Sequence, residues 1–351
     1  MILLISEEEL QKKVDSFPRV KLVNLPTPLE KMPRLTKLLN GPQLWVKRED
    51  STGLAFGGNK ERKTEFAFGD ALSKKADTVI TTGPVQSNHS RATAAAASRL
   101  GLKIILVLTG EEPQIYDGNL LLDSLLGAEI RFLHGPPRKL DRASYMEEIA
   151  EDLRQKDHVP YVIPAGASYP PGAIAYANAM LELLEQARNC DFRIDHIVHG
   201  AGSGGTQAGM VLATKAIESE VNILGICAEP HSQDQLTKKT MEIVKVTAQI
   251  LDVEVALKPD DVVLNENYAG EAYEVPTSEA VKAIRLLAHT EGILLDPIYT
   301  GRAMAGLLNL IRRGHFEKDS NIVFIHTGGT PALFPYRRHL ARKIKLPSLT
   351  D

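Results

Sequence analysis

The chain has 351 residues, enough for two domains or one large one, with 43% hydrophobic and 24% charged residues, the balance of an ordinary globular protein. Its 41 basic and 44 acidic residues leave a formal charge of -3, which favours neither nucleic acid nor an anionic membrane as partner. The two cysteines, Cys190 and Cys227, share no metal-like spacing, so no metal is expected and a reduced, cytoplasmic protein is the simplest account.

The apolar run Met1 to Ile5 turns acidic at Glu7, Glu8 and Glu9. It is too short for a signal peptide, and no later run is long enough to span a bilayer. Gly57-Gly58-Asn59-Lys60 follows Leu54-Ala55-Phe56 and leads into a charged, helix-like run. Glycines there take backbone angles closed to other residues and let a ligand approach. A lysine held near a helix start and other cations loses basicity and becomes a better nucleophile toward a carbonyl. A solvated lysine in a flexible loop is the bland alternative.

Short apolar runs then alternate with helical patterns. Strands are expected at 77–81, 103–108, 129–133 and 161–164, with helices at 88–100, 119–126 and 146–153 between them. The acidic pairs Glu147-Glu148 and Glu151-Asp152 read as a solvated helix face. A second series has a helix at 173–187, strands at 196–199, 222–227 and 322–326, and helices after residue 206, at 278–290 and at 301–312. The alternation predicts two α/β units with mostly parallel sheets covered on both faces, and the Gly/Pro-rich passage 164–172 is the expected crossing point. The basic tail from Arg337, with Arg338, Arg342 and Lys343, is expected to face solvent.

Two loops carry chemistry. Gly83-Pro84-Val85-Gln86-Ser87-Asn88-His89 joins a strand to a helix start, a place to hold a carboxylate through backbone N–H groups and the Ser87 hydroxyl. Asn88 also reads as an ordinary N-cap. Gly200-Ala201-Gly202-Ser203-Gly204-Gly205-Thr206 follows a strand and opens a helix, so its N–H groups and hydroxyls form a phosphate cradle. Gly200, Gly202 and Gly205 also satisfy G-x-G-x-x-G, with Glu229 near the place of a ribose-binding acid, so a nicotinamide-dependent oxidoreductase is a rival. The hydroxyl-rich loop suits a compact terminal phosphate better, and the rival leaves Lys60 without a role; there is no Walker A motif. His196 and His199, three apart on a strand, point to opposite faces and share no metal.

The lysine after Gly-Gly-Asn, the Gln86-Ser87-Asn88 loop and the hydroxyl-rich glycine loop together resemble the fold-type II pyridoxal-phosphate enzymes. More narrowly, with Lys47 to Asp50, Gly53 to Lys60 and Asp296 to Gly301, they resemble the branch of D-cysteine desulfhydrase and 1-aminocyclopropane-1-carboxylate (ACC) deaminase, over residues 22–336. The resemblance implies two open twisted α/β domains, tryptophan synthase β-like, with the cofactor pyridoxal 5'-phosphate in the cleft between them. It implies a large domain of 1–60 plus 173–351, a small inserted domain of 61–172, and a homodimer.

By motif match, Lys60 bonds to the cofactor aldehyde beside Asn59, Asn88 meets the ring hydroxyl, and Ala201, Gly202, Ser203, Gly204, Gly205 and Thr206 hold the phosphate. Tyr299 lies against the ring with Tyr273 nearby, Thr300 and Thr327 complete the cofactor site, and Gln86, Ser87, Asn88 and His89 face the substrate. The implied catalytic set is Lys60, Ser87, Tyr273 and Tyr299. Deaminases of the branch have glutamate after the Asp-Pro-x-Tyr tyrosine and leucine after the late-strand histidine. Thr300 and Thr327 match the desulfhydrase pattern instead, and a hydroxyl near the pyridine nitrogen supports a less electron-hungry ring, sufficient to expel a thiolate. The rivals are the deaminase, the oxidoreductase, and a protein that binds a phosphate or the cofactor without catalysis.

Overall fold

A computed structural model describes residues 5–135 and 141–341 of the chain. Arg342 and Lys343 of the basic tail lie outside them; Arg337 and Arg338 are exposed. Two sheets organise the molecule. The larger has six strands in the order β1 (Leu29–Lys31), β2 (Gln43–Lys47), β10 (Asn321–Ile325), β7 (His196–Ala201), β8 (Asn222–Cys227) and β9 (Val263–Asn265). The smaller has four, in the order β5 (Glu129–Leu133), β4 (Lys103–Thr109), β3 (Thr78–Pro84) and β6 (Pro160–Ile163). Every pairing is parallel except β1 with β2.

Parallel strands need crossovers, and the helices that supply them cover both faces of each sheet. Side chains alternate across the larger sheet. Trp45, Ile197, Val323 and Ile325 join one core with helices α7 (Pro170–Asn189), α8 (Gly205–Ala216) and α9 (Gln233–Ile250). Leu44, Val46, Val198, Ile322 and Phe324 join the other, with α10 (Ser278–Glu291) and α11 (Thr300–Arg312). In the smaller sheet Val79, Ile104 and Leu106 face α4 (Asn88–Leu100), while Ile80, Ile105 and Val107 face α6 (Arg142–Arg154). Helix α3 (Asn59–Ser73) serves both sheets, giving Phe66 to the first core and Ala67 and Phe68 to the smaller sheet's.

The strand and helix positions read from the sequence agree with these elements to within a few residues at either end. Four stretches carry α-helices or strands that the alternation did not announce: the N-terminal segment with α1 (Glu7–Asp15), β1, α2 (Pro33–Leu39) and β2, the helix α9, the short edge strand β9, and the short helix α12 (Arg337–Leu340). Among the described residues, no helix is long and apolar enough to cross a membrane.

Candidate active site

The carboxyl ends of β3, β4, β6, β7, β8 and β10 all open onto one cavity of about 850 Å³. That is the usual location and size of a small-molecule site in parallel α/β sheets.

Lys60 enters this cavity as the second residue of α3. The backbone reaches it through Gly57 (φ 73°) and Gly58 (φ 139°), where Gly58 pairs with Gly328 and Asn59 N–H donates to the Thr327 carbonyl at 3.1 Å. A Cβ on Gly57 would lie 1.8 Å from the Asp50 carbonyl oxygen, so the approach is closed to any larger residue. Burial, and secondarily the Lys239 ammonium, lower the Lys60 pKa to about 8. Lys63, one turn on, is held well below the ordinary lysine range by burial and then by Lys60 and Lys239. The Lys60 and Lys63 Nζ atoms both donate to the Gly166 carbonyl, at 3.4 and 3.3 Å. No carboxylate among the described residues forms an ion pair with Lys60, Lys63 or Lys239; Glu242 acts on Lys239 from farther off, and no carboxylate acts on Lys60 or Lys63.

The glycine loop after β7 lies beside these lysines; a Cβ on Gly205 would sit 3.0 Å from the Lys63 Nζ. The loop turns into α8 at Gly204 (φ 90°), so the start of α8, the positive end of its dipole, lies at the cavity beside these cations. Thr206 accepts from the Asn59 side-chain amide at 3.0 Å, and the Ser203 hydroxyl accepts from Ser168 at 2.6 Å. Gly202 lies flat against Tyr299, where a Cβ would be 2.8 Å from ring atom Cε1.

Tyr299 is placed by Asp296. The buried Asp296 carboxylate accepts from the N–H groups of Ile298, Tyr299 and Thr300 at 2.9, 2.9 and 2.8 Å, which folds Asp-Pro-Ile-Tyr into a turn at the start of α11. The Tyr273 and Tyr299 hydroxyls hydrogen-bond to each other, and their rings meet edge to face at 5.8 Å between centroids. Buried Arg302 ties the Tyr273 segment to α11 by donating to the Ala272 and Val275 carbonyls at 2.8 and 2.7 Å. Burial pushes the Tyr299 hydroxyl up to about 12 and the Tyr273 hydroxyl well above its ordinary value, so both keep their protons at neutral pH.

On the opposite wall, Ser87 caps α4 by accepting from Ser90 N–H at 3.1 Å. The cap is therefore Ser87 and not Asn88. His89 lines the wall with Nε2 2.7 Å from the Thr81 hydroxyl and Nδ1 3.4 Å from the Thr93 hydroxyl, whose proton goes to the His89 carbonyl at 2.8 Å. The Thr81 proton goes to the Ile163 carbonyl at 2.7 Å, so Nε2 of His89 is the donor. Burial, then Lys60 and Lys63, keep this histidine neutral.

The cavity thus brings together Asn59, Lys60, Ser87, Asn88, His89, Ala201 to Gly204, Thr206, Tyr273, Tyr299 and Thr327. Three residues expected in it stand behind the wall. Gln86 turns away, donating to the Asp117 carbonyl at 3.0 Å and accepting from Asn119 N–H at 2.9 Å. The Gly205 N–H donates to the Ser168 hydroxyl at 3.2 Å instead of facing the cavity. Thr300 is fully buried and donates to Asp296 Oδ1 at 2.7 Å, so its hydroxyl is not offered to a ring nitrogen. Lys239, Arg142, Gly166 and Glu274 line the cavity unannounced, because no local pattern marks them; Glu229 and His199, read from the sequence as a candidate ribose-binding acid and a histidine sharing no metal, line it as well.

The arrangement offers a weakly basic amine, an amide beside it, an aromatic face, and a helix start with spare positive charge. Fold and site together are those of an α/β enzyme with a phosphate-sized cradle beside a buried lysine. The family profile described as "Pyridoxal-phosphate dependent enzyme" matches residues 20–328, and the chain belongs to that family. The nicotinamide reading of Gly200, Gly202 and Gly205 is thereby set aside.

A D-cysteine desulfhydrase of Klebsiella pneumoniae (strain 342) is 40% identical over 332 residues, 92% of this chain and 98% of the relative. A putative 1-aminocyclopropane-1-carboxylate deaminase of Pyrococcus abyssi (strain GE5 / Orsay) is 39% identical over 331 residues, 93% and 97% of the two chains. The solved structure of an ACC deaminase homologue superposes with a TM-score of 0.87 at 39% identity, covering 95% of this chain and 98% of that one. A pyridoxal 5'-phosphate-dependent aspartate racemase, 18% identical with a TM-score of 0.65 over 93% and 95% of the chains, shares the fold alone.

The residues present suit the cofactor. Lys60 and Lys63 lack a counter-ion, which a phosphate supplies, and the glycine loop leaves no Cβ between Gly202 and the Tyr299 ring.

Proposed function

We propose that this chain eliminates sulfide from D-cysteine, consuming one water and giving pyruvate, ammonia and hydrogen sulfide. The observation that carries the reading is the Lys60 amine, brought down to about 8, facing the donor-rich start of α4 across one cavity. When bound, the cofactor's ring takes up the electron pair left as the Cα proton departs. Lys60 holds the cofactor and its neutral amine accepts that proton. Ser87 and the first amides of α4 orient the substrate carboxylate, with Asn88 and His89 beside them. The Tyr273–Tyr299 hydroxyl pair carries a proton toward the departing sulfur. Ala201 to Gly204 and Thr206 hold the phosphate end, with the buried Lys63 ammonium behind them.

Relatives named for the desulfhydrase and for the deaminase resemble the chain about equally, which keeps ACC deamination to α-ketobutyrate and ammonia as the second reading. Thr327, at the cavity wall, favours the first; Thr300 loses its weight as a ring contact because Asp296 occupies its hydroxyl. We further propose a large domain of 1–60 plus 173–351 with a small domain of 61–172, a homodimer, and a cytoplasmic location.

The test is a panel of D-cysteine, L-cysteine, other β-substituted amino acids and ACC on cofactor-loaded protein. Sulfide and pyruvate should appear from D-cysteine and stop with Lys60→Ala. α-Ketobutyrate from ACC without sulfide from cysteine would move the assignment to the deaminase. Turnover of none would leave a protein that binds the cofactor without catalysis.

A further inference from the structure

Helix α5 (Gly118–Leu125) packs behind the α4 start, and none of its residues lines the cavity. Its second residue, Asn119, is fully buried. The Asn119 side-chain NH2 donates twice, to the Gln86 carbonyl oxygen at 3.0 Å and to Asn88 Oδ1 at 2.8 Å. Its backbone N–H donates to Gln86 Oε1 at 2.9 Å, while the Gln86 NH2 donates to the Asp117 carbonyl at 3.0 Å.

The direction of every bond in this chain is fixed by its ends. A backbone carbonyl only accepts, so the group Asn119 turns to Gln86 must be its NH2. The Asn88 atom facing that same NH2 must then be the acceptor Oδ1. The Asn88 NH2 is left on the other side, where a Cβ on Gly329 would be 3.0 Å from it, and Asn88 itself lines the cavity.

We infer that Asn119 is a positioning residue: it locks the Asn88 amide so that a donor, and never the carbonyl, faces the bound cofactor. The inference rests on the reading of the cavity as a pyridoxal-phosphate site. An amide free to rotate would present its oxygen to the cofactor's ring oxygen in one of its two orientations, and two acceptors repel. The turned-away Gln86, which makes no contact with the cavity, has a role on this account. It orients Asn119, which orients Asn88.

The test is a double-mutant cycle read as cofactor affinity. Apoprotein is prepared as the unaltered chain, Asn119→Leu, Asn88→Ala and the double variant, and each is titrated with pyridoxal 5'-phosphate. Asn119→Leu keeps the side chain's size and removes its donor. It should weaken binding about tenfold in the parent and less than about twofold when Asn88 is already alanine, because a residue that acts through another loses its effect with that partner. The bound cofactor's absorbance band should also move in Asn119→Leu toward its position in Asn88→Ala. Equal losses in both backgrounds would mean that Asn119 merely supports the fold, and no loss in either would mean that Asn88 needs no guide; both overturn the inference. If Asn119→Leu does not fold, Asn119→Ala enters the same cycle. An unaltered chain that bound no cofactor would instead sink the reading underneath.

Discussion

Lys60 is subject to two effects of the same sign. Burial disfavours its ammonium form, and Lys239 adds repulsion, which together bring its pKa to about 8. At pH 7 about a tenth of such a lysine is neutral, against less than about a thousandth for one at its ordinary value. Only the neutral amine attacks an aldehyde. The rate at which apoprotein takes up the cofactor should therefore rise with pH, reach half its maximum near 8 and level off above about 9. Lys239→Gln should move that plateau to higher pH, since removing a neighbouring cation restores basicity. Stopped-flow absorbance measures both, and a rate unchanged between pH 6 and 9 would refute the argument. The importance of Lys60 is legible in the chain because Gly57, Gly58 and Asn59 adjoin it, and steric need for glycine is a local property. Gln86 and Thr300 were misplaced for the complementary reason. A loop sequence says that polar groups gather there but not which way each turns: the partners that turn Gln86, Asp117 and Asn119, are more than thirty residues away, and Thr300 turns back onto Asp296 only four residues before it.

At the level of elements, α5 is unusual in the polar groups it buries. Asp123, one turn beyond Asn119, is fully buried with neither oxygen partnered, and burial lifts its pKa to about 8 despite the opposing pull of Arg91. Arg91 is itself committed to the loop before Lys60, donating to the Ala55 and Gly57 carbonyls. In the folded chain Asp123 keeps its proton up to about pH 8, whereas the unfolded chain releases it near pH 4. Between those limits the unfolded state binds fewer protons, so stability falls as pH rises and levels off above 8. Glu61, raised to about 7 by burial, adds a slope of the same sign over a narrower window. Asp123→Asn should remove the larger part. It should stabilise the apoprotein by about 1–3 kcal/mol at pH 8 and leave it nearly unchanged at pH 4.5. Urea unfolding at the two pH values decides; an equal effect at both would show that Asp123 is ionised throughout. Elements whose apolar residues repeat regularly between turn signals, such as α4 and β8, could be placed from sequence. Helix α9 could not, because its buried positions Leu236, Thr240, Ile243, Val244, Thr247 and Ala248 are interrupted by threonines and lysines.

At the scale of the whole molecule, the cavity depends on bringing distant strand ends together, and a buried charge network helps to fix them. Arg62 on α3 meets Glu49 at 2.6 Å and Glu182 on α7 at 2.8 Å, and Glu182 also receives Lys47 from β2 at 2.5 Å. The helix that carries Lys60 is thus tied to both the first strands and the longest helix. The outer surface has a less settled region. Ile115, Leu125 and Phe334 are 80%, 73% and 60% exposed, and Leu121 is also exposed. They surround one helix: Leu121 and Leu125 lie on α5, and the Phe334 segment is held to α5's start by Arg337 and Asp117 at 2.7 Å. Apolar side chains grouped in this way mark an interaction surface, and burying each contributes about 1.5–3 kcal/mol. A second copy of this chain is the occupant the proposed homodimer requires. Sedimentation equilibrium should give twice the chain mass for the parent, and Leu125→Glu should shift it toward a single chain at micromolar concentration. Ile250→Glu, on exposed apolar surface at the end of α9, should leave the mass doubled. A parent that sediments as one chain would remove the dimer, and a doubled mass that survives Leu125→Glu but not Ile250→Glu would move the interface from α5 to α9.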